Sequence, residues 1–471
     1  MSTLSSASPN DRFDWQRHPS ADALVRHIVD QFCGQHSFAA SLARRMRDET
    51  GTRLIDWVDH VAVNESFQIE GQPISSMLSK RGFDASHADQ DGQWFEHRGG
   101  LFPPVVVSDL IYMRLSIQVE SVDDFLAAHD IQTQIQGQAG SMFRRAPVPS
   151  QDNAAESDSR IGEFHVCERH GWTSWQLPPN DERRIQLASE VAGSFGSRPR
   201  ECFAAAKALI QSAVEKIGVD WACDLFFAAE RDYWQSRNHA AQVQYQRQSK
   251  LGLGWGNHDH HTYRSSRASF ANLIDCLETL GFQCRERFYA GGQAGWGAQV
   301  LEQSNTGIVI FADVDLSPEE LSGDFAHDGL RPSEQLGTVG LWCQLHGEAF
   351  LQAGMHHLEC QFDFEAARQQ LSEVGIETMQ PFTDFTHLRQ AFTRGEVWSI
   401  EESQIATALQ LGSITGEQAD NFRKDGAVGS HLEILERNDG FKGFNQTGVS
   451  EIIRKTDPRH LRLNEDPDGE S

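Results

Sequence analysis

Several features that would define a protein class are missing from this sequence. It has no run of about 18 consecutive apolar residues, so a membrane-spanning helix is not expected. The first residues, MSTLSSASPNDRFDW, lack a basic stretch followed by an apolar one, so a secretory signal is not expected either. The eight cysteines are scattered without a Cys-x-x-Cys pair, which favours free thiols in a reducing compartment. We therefore expect a cytoplasmic protein.

Positive charge is also scarce. The chain has 41 Lys and Arg against 67 Asp and Glu, for a formal net charge of −26. This balance repels nucleic acid and anionic membranes, so neither is expected as a partner. The glycines of GLGWG at 252–256 lack the following helix of a nucleotide-binding loop. A Gly-x-Ser-x-Gly nucleophile elbow is absent, so a serine hydrolase is not indicated.

What the sequence does contain is an internal repeat. DHVAV at 59–63 precedes SMLSKRGF and WFEHRGGLFPPVVV, and DHHTY at 259–263 precedes CLETLGF and QVLEQSNTGIVIFADV. Each copy is typical of a strand, a helix that ends at Gly-Phe, and a hairpin. A second unit follows each copy, beginning at RLSIQV (114–119) and at HLECQF (357–362). The pattern predicts an α+β fold made by tandem duplication of paired βαβββ units, with helical insertions.

The repeat sets the predicted domain boundaries. We expect a degenerate N-terminal half over 1–175, a helical linker over 176–250, a metal-binding C-terminal half over 251–463 and an acidic tail over 464–471. A further helical insertion is predicted at about 317–352. The polar segment 149–161 and the tail are predicted to be flexible.

The second half carries a candidate metal site. His260 and His357 lie at matching places on the first strands of its two units, and Glu433 lies on its last strand. Two imidazoles and one carboxylate form the facial triad of non-haem Fe(II) oxygenases, and the same donors suit Mn(II) or Zn(II). Because side chains four apart along a strand share a face, Arg264 should point the same way as His260.

Three alternatives remain open within the second half. His261 could replace His260, His356 could replace His357, and Glu302 is a rival carboxylate with its own counterpart, Glu96, in the first half.

The first half lacks the same donors. His60 matches His260, but Arg114 stands at the position of His357, and His165 stands at that of Glu433. A guanidinium has no lone pair to offer a metal. We therefore expect any metal in the second half.

These motifs resemble the vicinal oxygen chelate superfamily and, more narrowly, the 2-oxoadipate dioxygenase/decarboxylase family, over about residues 250–460. The family's histidine with an arginine four residues later is matched by His260 and Arg264, its Asn-His-Leu strand by HHL at 356–358, and its Glu-Ile-x-x-Arg strand by EILER with Glu433. The stretch GFKGFNQTGVSEIIRKTDPR is similar to the family's closing segment.

The resemblance implies a function. It implies oxidative decarboxylation of a small 2-oxo acid with Fe(II) and O2, in which Arg264 binds a substrate carboxylate. Two other functions remain open. One is a glyoxalase-type metal isomerase or lyase that uses Glu302 as a fourth ligand, and the other is a metal-free protein that binds a small ligand.

Overall fold

The computed structural model describes residues 15–150, 162–290, 295–333, 335–445 and 457–459. Its α-helices are α1 Pro19–Gln35, α2 Ser37–Arg45, α3 Ile74–Lys80, α4 Val122–Ala128, α5 Glu182–Gly196, α6 Phe203–Ile217, α7 Val219–Gln235, α8 His239–Ser249, α9 Phe270–Thr279, α10 Thr338–His346, α11 Phe364–Glu373, α12 Glu402–Gln410 and α13 Gly416–Asp425. In the described residues, no helix is both long enough and apolar enough to cross a membrane.

The strands are β1 Val58–Asn64, β2 Gln68–Ile69, β3 Gln72–Pro73, β4 Asp84–Asp89, β5 Gly92–Glu96, β6 Val105–Ser108, β7 Arg114–Gln118, β8 Phe143–Val148, β9 Glu163–Arg169, β10 His258–Arg264, β11 Gln283–Tyr289, β12 Trp296–Gln303, β13 Ile308–Asp315, β14 His357–Gln361, β15 Thr383–Phe385, β16 Leu388–Phe392, β17 Glu396–Trp398 and β18 Ala427–Arg437.

Two large mixed sheets organise the chain. The first has the strand order β4-β5-β6-β1-β7-β9-β8, and the second has β11-β12-β13-β10-β14-β18-β16-β15, with β17 beside β18. In both sheets, the first strand of one unit lies antiparallel to the first strand of the next and parallel to the last strand of its own unit. This confirms the α+β fold with duplicated, paired βαβββ units. Within the described residues, the second unit of the first half differs in having two strands after its helix.

The two sheets match each other residue by residue. In the second sheet Thr262 pairs with His357, and at the equivalent place in the first sheet Ala62 pairs with Arg114. Likewise, Glu359 pairs with Glu433 in the second sheet, and Ser116 pairs with His165 in the first. Arg114 therefore occupies in the first sheet the position that His357 has in the second, as inferred from the sequence.

The helix of the first unit ends in the same way in both halves. Gly82 and Gly281 have φ values of 89°, a left-handed conformation that glycine adopts without a steric cost. The next residue closes the helix, since Phe83 N–H donates to Leu78 O at 3.0 Å and Phe282 N–H donates to Leu277 O at 3.2 Å. The Gly-Phe pairs thus end the two helices, as the repeat predicted.

Helices α5 to α8 lie within the stretch predicted as a linker, and they share a core with the second sheet. Phe226 and Phe227 of α7 are fully buried with Tyr263 of β10 and Ile310 of β13 in one apolar cluster. Burying one such ring contributes roughly 1.5–3 kcal/mol. These helices therefore cover one face of the second sheet and leave its other face for a cavity.

Other predicted segments differ from the structure or lie outside it. Of the helical insertion expected at about 317–352, only a 3₁₀ turn, Glu320–Ser322, and α10 are helical. Helices α12 and α13, between β17 and β18, were not predicted. Most of the predicted loop 149–161 and the whole tail 464–471 lie outside the described residues.

Candidate metal centre

The open face of the second sheet forms a cavity with an aromatic wall. Its rings come from Phe288, Trp296, Phe311, Phe382, Phe392 and Phe444. The polar side chains in the same cavity include His260, His357, Glu433 and Arg264. The cavity therefore holds all four residues that the sequence singled out.

Three of these side chains converge. His260, His357 and Glu433 are buried, and each offers one ligand atom within 4.8 Å of the others. His357 Nε2 lies 3.1 Å from Glu433 Oε2. They come from β10, β14 and β18, which are adjacent in the sheet. Their convergence is a property of strand order, and their role as metal ligands remains a prediction.

The ring of His260 is oriented by carboxylates on one side. Its Nδ1 lies 3.2 Å from Asp259 Oδ1 and also contacts the Glu359 carboxylate. Asp259 is held in turn by Arg437, at 2.9 Å and 3.0 Å. With Nδ1 engaged in this way, Nε2 is the nitrogen available to a metal, in the arrangement usual for metal-binding histidines.

Both histidines are neutral near pH 7. Burial lowers the pKa of His260, and burial together with the Arg264 charge lowers the pKa of His357 to about 3. A neutral imidazole keeps the lone pair that a metal requires.

Two carboxylates, Glu433 and Glu359, share this buried space. Gln390 Nε2 donates to Glu433 Oε1 at 3.0 Å and to Glu359 Oε1 at 2.9 Å. Burial raises the pKa of Glu433 to about 7, and burial with the neighbouring Glu433 raises the pKa of Glu359. A divalent cation would offset the cost of ionising both groups. The donor set therefore fits a metal.

Arg264 is a buried cation that makes no ion pair with the described residues. It is 3% exposed, and its Nε has no hydrogen-bond partner within the part of the chain that the structure describes. The guanidinium carbon of Arg264 lies 5.6 Å from the centroid of the Trp342 ring. The adjacent carboxyl is Asp313, whose pKa is raised to about 8 by burial despite Arg264. Because a neutral Asp313 leaves the guanidinium uncompensated, this part of the cavity attracts an anion.

The neighbouring histidines lie in different places from His260 and His357. His261 lies on the opposite face of β10, where its Nε2 is 3.3 Å from Arg231 Nη1 and its ring packs on Phe227. His356 lines the cavity, but it is not part of the converging group. The first choices from the sequence, His260 and His357, are the ones that meet Glu433.

Glu302 lies apart from this cluster. Its carboxylate is 3.2 Å from Arg285 Nη1 and 3.3 Å from Lys442 Nζ. It does not line the cavity. The expectation that Glu302 could serve as a fourth ligand is therefore wrong, because the two cations hold its carboxylate elsewhere.

The sheet register also shows what replaces a fourth ligand. An approximate twofold axis runs perpendicular to the sheet between β10 and β14. It relates His260 to His357 and therefore Thr262 to Glu359. Glu359 pairs with Glu433 on β18, and Thr262 pairs with Phe311 on β13. Phe311 thus stands at the position equivalent to Glu433, where an apolar ring takes the place of a carboxylate.

Two further histidines line the cavity: His356, which the sequence offered as an alternative to His357, and His431, which it did not single out. His431 Nδ1 lies 3.0 Å from Thr393 O, and His356 Nδ1 lies 3.0 Å from Gly429 O. Since a carbonyl oxygen can only accept, both rings carry the proton on Nδ1 and leave Nε2 as an acceptor. Strand alternation could have found His431 and Glu359, because each lies two residues from a predicted ligand.

The corresponding face of the first sheet is filled by Trp175. This side chain is fully buried, with its ring 4.4 Å from that of His60 and 4.4 Å from the Arg145 guanidinium. Arg114 is paired with Asp91 at 3.1 Å and 3.3 Å. The first half is therefore packed where the second half is open.

Comparisons with known proteins give a likeness to solved structures alone. No protein-family model matches the chain, and no curated protein does. The chain is similar to methylmalonyl-CoA epimerase from Mycobacterium tuberculosis, with 13% identity over 39% of this chain and 88% of that one and a TM-score of 0.22. It is also similar to a mutant of 4-hydroxymandelate synthase from Streptomyces coelicolor, with 12% identity over 72% and 96% of the two chains and a TM-score of 0.29. At these scores the likeness carries no conclusion about function.

Proposed function

We propose that this protein is a non-haem Fe(II) dioxygenase/decarboxylase that converts a small 2-oxo acid and O2 into a hydroxy acid and CO2. The observation that supports this most is the convergence of His260, His357 and Glu433 in one cavity with Arg264, which makes no ion pair within the described part of the chain. The resemblance of the sequence motifs to the 2-oxoadipate dioxygenase/decarboxylase family points to the same chemistry.

The donors have the composition that Fe(II) takes in facial triads, and Mn(II) or Zn(II) would fit the same atoms. When bound, the metal would supply Lewis-acid polarisation of the 2-oxo acid and activation of O2. The chain contributes the orientation of its ligands. Asp259 and Glu359 hold the His260 ring, and Gln390 holds Glu433.

Arg264 binds a carboxylate of the substrate in this proposal. A guanidinium presents two parallel N–H groups to a carboxylate, whereas an ammonium offers a point charge. Because Arg264 has no counter-ion within the described residues, the substrate would be its partner. This interaction orients the 2-oxo acid relative to the three metal ligands.

The remaining walls exclude water and select the substrate. The aromatic rings contact the carbon chain, so water leaves when a ligand enters. Nε2 of His356 and Nε2 of His431 accept hydrogen bonds from a donor group on the ligand, such as a hydroxyl.

Metal content and oxygen uptake test the proposal. Protein purified without chelator, or loaded with Fe(II) under anaerobic conditions, should hold near one equivalent of metal and consume O2 with at least one member of a panel of 2-oxo acids. Glu433→Gln should lose both properties. Glu302→Gln is the matched control and should keep both, because Glu302 lies outside the cavity. Failure of the wild type to bind metal would return the chain to the alternative of a metal-free binding protein.

A further inference from the structure

A second group of metal-ligating side chains lies on the surface, away from the cavity. Glu278, Cys284 and His327 are exposed, and their ligand atoms all lie within 4.8 Å of one another. They come from the last turn of α9, the start of β11 and the loop after β13. A thiol, an imidazole and a carboxylate from three separate elements meet at this point.

The fold holds these three elements together independently of the cluster. The turn between α9 and β11 is closed by the hydrogen bond from Phe282 N–H to Leu277 O, so Glu278 and Cys284 are held on either side of it. Arg287 of β11 donates to Leu321 O at 3.1 Å and to Gly323 O at 2.7 Å. These bonds tie the loop that carries His327 to the same strand as Cys284.

The imidazole of His327 is placed between two carboxylates. Its Nδ1 lies 2.8 Å from Asp324 Oδ2, and its Nε2 lies 2.8 Å from Glu278 Oε1. A carboxylate on one ring nitrogen, with the other nitrogen facing further ligands, is the usual arrangement of a histidine that binds zinc.

Two carboxylates and one guanidinium lie around the cluster. Glu278 and Asp324 each lie 2.8 Å from a nitrogen of the His327 ring, and Arg287 Nη2 lies 3.6 Å from Asp324 Oδ1. With two carboxylates against one guanidinium, a divalent cation would offset the remaining negative charge.

We propose that Cys284 Sγ, His327 Nε2 and the Glu278 carboxylate bind one Zn(II), with Asp324 orienting His327. Cys, His and carboxylate are the donors that zinc takes in proteins, and a thiolate disfavours Mg(II) and Ca(II). Cys284 would bind as the thiolate, with its proton released to solvent. This site is separate from the proposed iron centre, whose donors are nitrogen and oxygen only.

Zinc at this site would cross-link the loop between β13 and α10, through His327, to the turn between α9 and β11, through Glu278 and Cys284. The end of that loop leads into α10, whose first amide groups donate to Asp315 at 2.8–3.0 Å. Trp342 of α10 lies over Arg264 in the cavity. The proposed zinc would thus stabilise the segment that leads into α10, the helix whose Trp342 ring lies beside Arg264.

Cobalt binding tests this proposal with a readout that the cavity cannot produce. Co(II) bound by a thiolate shows a sulfur-to-cobalt charge-transfer absorption in the near ultraviolet, whereas His and Glu ligands do not. Metal-free full-length protein titrated with Co(II) should develop this band by two equivalents, because the proposed cavity site can also take up Co(II) without contributing to the band, and Zn(II) should abolish it.

Variants assign the band to its ligands. Cys284→Ser and His327→Asn should each remove it, while Cys202→Ser, at another exposed cysteine, should leave it unchanged. His357→Ala should also retain it, which separates this site from the iron centre. No band in the wild type, saturation only at millimolar Co(II), or a band that survives Cys284→Ser would overturn the proposal.

Discussion

Arg114 occupies in the first sheet the position that His357 occupies in the second. Each lies on the first strand of its second unit, opposite Ala62 in one sheet and Thr262 in the other. The guanidinium of Arg114 pairs with Asp91, and the imidazole of His357 faces Glu433. The same fold thus has a closed, packed face in one half and an open cavity in the other.

Removing Trp175 should destabilise the protein without affecting the metal. Trp175 fills the face of the first sheet, so Trp175→Ala leaves a cavity among His60, Phe143 and Arg145. We expect a loss of about 3–5 kcal/mol in the free energy of unfolding, measured by urea denaturation. The metal content of the folded variant should equal that of the wild type. A variant as stable as the wild type would show that this face is not packed as described.

Arg264→Met should separate substrate binding from stability. Loss of a charge-assisted hydrogen bond of about 1.5–3 kcal/mol raises KM for the 2-oxo acid about 10- to 100-fold, with metal content unchanged. The same variant should be more stable than the wild type, because it removes a buried cation that has no ion-pair partner among the described residues. Arg264→Lys should not restore KM, since an ammonium cannot bind a carboxylate bidentately. Lower stability of Arg264→Met would contradict the description of Arg264 as unpaired.

The buried pair of Asp59 and Arg169 should make stability depend on acid pH. The Nη2 of Arg169 lies 2.9 Å from Asp59 Oδ2. Burial alone would raise the pKa of Asp59, but Arg169 and His60 hold it well below its usual value of 3.8. A carboxyl whose pKa is depressed on folding stabilises the protein above the unfolded pKa and loses that contribution as the pH falls.

Asp59→Asn should therefore cost about 3–5 kcal/mol at pH 7, the amount expected for breaking a buried pair. The difference from the wild type should shrink as the pH is lowered below about 4, through the range in which Asp59 becomes protonated. Urea unfolding at pH 7 and pH 3 measures both values, with the exposed Asp109→Asn as control. An equal difference at the two pH values would show that the charge of Asp59 is not what stabilises the fold.

Removing iron from the proposed centre in the second half should lower the melting temperature, and the first half should not contribute to this effect. A ligand at 100 times its Kd stabilises the folded state by about 2.7 kcal/mol. When metal-free protein is loaded with Fe(II) alone, chelation should therefore lower the Tm of the wild type, with no change for His357→Ala. His60→Ala, which alters the first-half equivalent of His260, should respond to chelation as the wild type does. A response that persists in His357→Ala would place the stabilising metal elsewhere.

Strand alternation explains why the candidate ligands could be predicted. Along β10, β14 and β18 the side-chain period of two is local, so residues on one face can be assigned without knowing the neighbours. The repeat then aligned the strands, which placed His260 and Glu433 in one row across the sheet and His357 two residues from that row on the same face. Glu359 and His431 follow the same alternation and could have been included.

The helical regions were less predictable. Helices α12 and α13 lie between β17 and β18, and the local sequence pattern does not show where an insertion interrupts a sheet. The stretch predicted as a linker contains helices that share the core of the second sheet, through Phe226 and Phe227. Packing of this kind depends on surfaces that are far apart in the chain.

The sequence by itself determined the duplication, the α+β class and the identity of the three converging side chains, because each depends on a short-range pattern repeated along the chain. Only the tertiary structure decided that Arg264 makes no ion pair with the residues it describes, that Arg285 and Lys442 hold Glu302, and that Trp175 fills the face of the first sheet. These outcomes depend on which side chains from distant segments meet, and burial then sets the charge that each one carries.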